Sequence, residues 1–242
     1  MPRRMIVSGL FFLILTPCRL WAQTTAPATL PTELAASTQP SAAIDLTTPR
    51  GALKVFFTAD AGSDGAALSS VLLPDGASQQ HMVTALADQK TADRELTDAL
   101  KAKFPDQWKT DPRQEQMQQL PGVYDTIDRA EQTQDGDTAT LKVGGGEGSP
   151  LTLKKVNGQW RIPLAALIQS VDDGKLDSDA HQIDIQVKVM NSAASDVAAG
   201  KYATQESAVE DIKKRMMTAA VDDHAAAKQA TGQATGQATT QP

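Results

Sequence analysis

Three histidines, His81, His181 and His224, are the natural place to look for chemistry in this chain. A neutral imidazole can take up a proton or hold a metal near neutral pH. No two of them stand four residues apart, the spacing that turns two rings from one helix face toward a metal, and there is no HExxH. Each therefore reads as a surface residue. Asp172, Asp173, Asp177 and Asp179 gather around Gly174. They lack the D-x-D-x-D-G order and the closing Glu of a calcium loop, so a solvated loop between helices accounts for them. Asp222 and Asp223 read as solubilising groups at a helix end. The run Gly144-Gly145-Gly146-Glu147-Gly148 joins two strands instead of opening a helix, and no GK[ST] follows. It is a hairpin tip, not a phosphate cradle. Ser69 and Ser70 have no G-x-S-x-G setting. No catalytic residue, metal ligand or cofactor is assigned from these patterns.

The only thiol is Cys18, and it falls inside a leader. Arg3 and Arg4 precede the apolar run Met5 to Leu15, and Leu20 and Ala22 suit a signal-peptidase site before Gln23. The run is shorter than the roughly 20 residues of a membrane span. The expectation is export to the periplasm or beyond, with residues 1–22 removed. The alternatives are an uncleaved N-terminal anchor and a lipid anchor on Cys18, the latter fitting poorly because Pro17 stands where a small residue is usual. The mature chain would have no cysteine, which excludes thiol catalysis and disulfides. It would also have no transmembrane segment. Losing Arg3, Arg4 and Arg19 takes the formal charge from −6 to −9. That acidity, with no basic–aromatic pattern, argues against nucleic acid as a partner.

Residues 23–43 and 224–242 are rich in Thr, Ala, Gln, Pro and Ser and read as a disordered linker and tail. Between them, Thr48 and Pro49 cap a first helix that carries Leu53, Phe56 and Phe57. A short helix with Leu68, Val71 and Leu72 follows, then a Pro74-Asp75-Gly76 turn. Ala77 to Phe104 is helical in composition. Its polar gap, Asp88 to Glu95, predicts a bend or two helices. Gln114 to Leu120 suits a short helix, and Tyr124 to Gln132 a first strand turning at Asp135-Gly136. Thr138 to Val143, Leu151 to Val156 and Gln159 to Ile162 alternate as strands, the last two joined by the hairpin pair Asn157-Gly158. Leu164, Leu167, Ile168 and Val171 suit a short amphipathic turn. Ala180 to Ala199 alternates like a strand through Ile183, Ile185, Val187 and Val189. Its length and the closing Gly200 favour a helix. Thr204 can cap a last helix carrying Val209, Ile212 and Met216.

Helices followed by hairpin-linked strands imply an α+β domain. The opening TPRGALKVFFTA and the later DTATLKV…LTLKKVNGQWRI resemble the first helix and closing hairpins of NTF2-like (SnoaL-like, cystatin-like cone) domains, in particular exported bacterial ones of unknown function. The resemblance implies N-terminal helices packed on a bent antiparallel sheet, a cone, over residues 44–163, with a C-terminal helical extension over 164–223. In such a cone Phe56, Tyr124 and Trp160 are the candidate ligand-facing residues. For Trp160 and Tyr124 the competing reading is ordinary packing. The implied function is a non-catalytic, exported small-ligand-binding or envelope interaction module, whose partners would be a small or amphipathic ligand or a second copy paired through the sheet. The alternatives are a SnoaL-like isomerase, cyclase or dehydratase with an acid–base residue in the cone, and a purely structural envelope protein.

Overall fold

The computed structural model describes residues 45–108, 111–143, 150–168 and 172–236, the stretch 224–236 as backbone alone. Residues 1–22 and 23–43, read above as a leader and a linker, the glycine-rich tip at 144–148 and Val171 lie outside the described residues. The element order is α1 (Pro49–Ala61), α2 (Gly65–Val71), β1 (Leu72–Leu73), α3 (Ala77–Lys103), a 3-10 turn (Pro105–Gln107), α4 (Pro112–Arg129), β2 (Glu131–Asp135), β3 (Thr138–Lys142), β4 (Leu151–Val156), β5 (Gln159–Pro163), α5 (Leu164–Leu167), α6 (Asp173–Ala198) and α7 (Gln205–Gly236). Among the described residues this is an α+β architecture of seven α-helices and one five-stranded sheet, ordered β1-β5-β4-β3-β2. No described helix is long and apolar enough to cross a membrane.

The strands β2 to β5 form the expected antiparallel meander. Asn157 and Gly158 take φ of 52° and 80° in the β4–β5 turn, the left-handed pair that a tight hairpin requires. Alternation then puts Ala139, Leu141, Leu153, Trp160 and Ile162 on one buried face and leaves Thr138, Lys142 and Lys154 in solvent. The expectation of a wholly antiparallel sheet is corrected: the sheet is mixed. Leu72 and Leu73, between α2 and α3, run parallel to β5 opposite Ile162 and Pro163. Both α2 and β1 are apolar at this point, so the chain leaves the helix by laying Leu72, 1 % exposed, beside the sheet. The same edge of β5 receives Leu46, whose carbonyl accepts the Trp160 backbone N–H at 2.7 Å. That edge is thus covered by backbone partners.

Helix α1 starts as its residues dictate. Thr48 accepts the Gly51 N–H through its hydroxyl, and Pro49 needs no N–H in the first turn. Ala52, Leu53, Phe56 and Ala59 then form the stripe that covers the sheet. Leu68 and Val71 of α2, Met82, Val83 and Leu86 of α3, and Leu176, Ala180 and Ile183 of α6 complete the same core. A smaller cluster joins Leu100 and Phe104 of α3 to Val197 of α6 and Ala208 of α7. The C-terminal helices are therefore stacked on α3, α6 directly and α7 outside it.

Three expectations change. Tyr124 to Arg129, expected in a first strand, lie in α4, which runs through Pro121. Leu120, Val123, Tyr124 and Ile127 are spaced as one helical stripe against α1, and this burial outweighs the hydrogen bond Pro121 forfeits. The polar gap at Asp88 to Glu95 does not break α3. Its polar residues are interface: Gln89 donates to Gln186 of α6 at 3.0 Å, Lys90 pairs with Asp60 at 2.6 Å, and Asp93 accepts the Ser63 hydroxyl at 2.8 Å. Finally, α7 continues past Asp223 to Gly236, into the segment read as a tail, where an Ala-rich run has high helix propensity. Over 180–198 the helix expectation agrees with α6.

Gly65 is where α2 and α3 come closest. A Cβ there would stand 2.0 Å from the Ala87 carbonyl oxygen and 2.6 Å from the Thr91 hydroxyl, whereas one at Gly122 on α4 would meet nothing. Gly65→Ala should cost about 1–3 kcal/mol through forced separation of the helices. Gly122→Ala should stabilise by about 0.5–1 kcal/mol through helix propensity. Denaturant melts of the two variants, read against the parent, check both signs.

Candidate functional site

The three aromatic candidates come from three elements: Phe56 from α1, Tyr124 from α4 and Trp160 from β5. The structure brings them into one hydrophobic cluster, but they do not share one role. Phe56 and Trp160 are 3 % and 2 % exposed and belong to the core itself. Phe56 meets Phe57 edge-on at 5.4 Å, and the Lys155 ammonium lies 5.9 Å from the Trp160 ring centroid. Tyr124 lies at the rim. Its hydroxyl pairs with the Thr58 hydroxyl, which also bonds the Lys54 carbonyl at 2.7 Å. Lys54 sits 5.5 Å over the Tyr124 ring and bonds Asp128 at 2.7 Å. This rim cluster fastens α1 to α4.

General acid–base chemistry needs an ionisable group held away from water. Among the described residues the buried polar side chains are Ser63, Gln79, Gln89 and Thr97. None of them ionises. Nor does any group of three acids, histidines or cysteines among the described residues converge on a metal position. Of the Asp172 to Asp179 acids, Asp172 caps α6 by accepting the Lys175 N–H at 2.8 Å. Asp179 pairs with Lys175 at 2.7 Å, and Asp177 accepts the Ser78 hydroxyl at 3.0 Å. The cluster thus opens a helix and joins it to α3. His81 contacts Asp184 on α6, and His181 contacts Asp223 on α7, each at 2.9 Å. The histidine at 224 falls in the backbone-only stretch.

The densest polar constellation lies elsewhere, where α6 turns into α7. Arg215 reaches Asp196 at 2.7 Å, Asp211 at 2.6 Å and the Tyr202 hydroxyl at 3.0 Å, while Lys201 takes Asp196 at 2.7 Å. Tyr202 donates to Asp211 at 2.6 Å. Burial, with the hydrogen bond to Asp211, pushes the Tyr202 phenol up to about 12. The bond from Tyr202 holds Asp211 below the ordinary carboxylate value, and the bonds from Lys201 and Arg215 do the same for Asp196. Every charge here has an opposite partner, and the phenol is held protonated. The arrangement can lock a helical hairpin. The sequence reading singled out none of these residues. The Asp211–Arg215 spacing of one helical turn was its only local sign.

Comparison of the chain with models of known families, with curated proteins and with solved structures returned no match.

The hairpin network has a definite pH signature. Asp211 and Asp196 are depressed in the fold, so their contribution is full above the ordinary value of 3.8 and is lost as pH falls through the folded values. Arg215→Met should lower stability at neutral pH by about 1 kcal/mol. It should also flatten the fall in Tm on acidification, because both carboxylates lose their shared cation. Melting curves from neutral to strongly acid pH check both effects.

Proposed function

We propose that this protein is an exported, non-catalytic NTF2-like module that works through its surface as an interaction component of the cell envelope. One observation carries this reading. The side chains that would line a reactive cone are core: Phe56 and Trp160 are buried in the main hydrophobic cluster, and the buried polar side chains among the described residues are neutral ones. The NTF2-like part of the reading is supported by the element order and by α1 lying across the buried sheet face beside β5. The export part rests on the leader pattern of residues 1–22. Of the roles implied by the resemblance, surface interaction demands least of this interior. A ligand carrier would need the packed ring of Trp160 to move, and an isomerase would need an acid beside it.

The test has two readouts on the full chain. Expressed with its own leader in a bacterium, it should yield a mature N-terminus at Gln23 in the envelope fraction, and there it should migrate in a complex larger than the purified chain. The purified chain should show no saturable rise in Tm with a panel of fatty acids and aromatic carboxylic acids. A saturable rise that Trp160→Leu removes would contradict the reading in favour of a ligand carrier. Chain retained in the cytoplasm with residues 1–22 intact would contradict export.

A further inference from the structure

Helix α6 is fastened along its length by three different kinds of bond. Its C-terminal end is held by guanidinium and ammonium groups, Arg215 and Lys201 on Asp196, which stay charged at any physiological pH. Its middle is held by a neutral pair, Gln89 with Gln186. Its N-terminal half is held to α3 by His81. The His81 Nε2 lies 2.9 Å from Asp184 Oδ2, and Nδ1 lies 3.6 Å from Asp177 Oδ1. The two aspartates are two helical turns apart on α6, so the ring sits between carboxylates at both of its nitrogens. Ser78, one turn earlier on α3, donates to the other oxygen of Asp177 at 3.0 Å and fixes that carboxylate in place.

This geometry distinguishes the two charge states of the ring. An imidazolium donates from Nε2 to Asp184 and turns its second, charged N–H toward Asp177, 3.6 Å away. A neutral ring can keep its N–H toward Asp184, but its other nitrogen then turns a lone pair toward Asp177. The charged groups facing His81 are Asp177 and Asp184 of α6, and its own helix brings Asp88 to the same side two turns on. Both groups in contact with the ring are acids. Beneath the ring, Leu176, Ala180 and Ile183 are the residues through which this half of α6 joins the main core.

We propose that His81 is a pH-operated clasp, which in its charged form, bonded to Asp184 and paired with Asp177, seats the N-terminal half of α6 on α3 and on deprotonation loosens that half while the C-terminal half stays fixed. The hydrogen bond to Asp184 raises the His81 pKa above its ordinary 6.5. The clasp is therefore complete below that value and is lost as pH rises through the folded-state value. The ring is 40 % exposed on its side chain, so solvent limits the effect to local opening.

The experiment is amide hydrogen exchange on the full chain at about pH 5 and about pH 9, corrected for intrinsic exchange, with residues 176–184 compared with 190–198. Opening of 176–184 should rise about two- to fivefold at the higher pH while 190–198 stays level. His81→Gln, which keeps a donor but cannot titrate, should remove that difference, and Asp177→Asn should reduce it. An unchanged 176–184 in the parent, or the same rise in His81→Gln, would overturn the proposal. Should His81→Gln not fold, NMR titration of His81 in the parent decides: a midpoint above 6.5 supports the clasp, and one at or below it refutes it.

Discussion

The whole arrangement depends on covering one apolar face of a small sheet. Ala139, Leu141, Leu153, Trp160 and Ile162 all project to the same side, and each large side chain left in water would forfeit about 1.5–3 kcal/mol of burial. With no disulfide expected, burial must supply that stability. Helix α1 covers the face directly, with α2, β1 and the Leu46 carbonyl finishing the β5 side. Everything beyond that layer is secondary. α3 packs on the same core, α6 packs on α3, and α7 packs on α6.

This layering explains where the sequence was easy to read and where it misled. The hairpins were legible because their alternation has one buried face and their turn is an Asn-Gly pair. The caps of α1 were legible because Thr48 and Pro49 act within one turn of chain. Helix α4 was not, because the stripe Leu120, Val123, Tyr124, Ile127 straddles Pro121 and Gly122, two residues that ordinarily punctuate a chain. Only contact with α1 reveals that the helix continues. The strand-like alternation Ile183, Ile185, Val187, Val189 also has a physical source. α6 is sandwiched, so it needs two apolar stripes. Ile183 and Val187 serve the core, whereas Ile185 and Val189 share a side with Gln182, Ser192 and Asp196, which bond α7. Two helical stripes on one helix sum to an every-other-residue pattern.

The polar residues obey the same logic. Of the residues that looked like candidates for chemistry, Asp172 and Asp179 act within α6, whereas His81, His181 and Asp177 join one helix to another. These links are long-range in sequence, such as His81 to Asp184 or Arg215 to Asp196, so no local motif announces them. A resemblance built on α1 and the hairpins could suggest a cone. Whether its inner residues face a ligand or each other is decided by α3 and α6, outside the matching motifs. Here Phe56 and Trp160 are packed as core, and Tyr124 forms a rim cluster with Lys54 and Asp128.

The central claim is that the inner sheet face is a packed interior and not the wall of a binding site. Acrylamide quenching of Trp160 fluorescence tests it most directly, in a chain lacking residues 1–22, and with them Trp21, and carrying Trp108→Phe, so that Trp160 is the sole tryptophan. The account predicts blue-shifted emission and quenching far below that of the unfolded chain, as expected of a ring 2 % exposed. Ready quenching of the folded protein, suppressed by adding an apolar ligand, would contradict it.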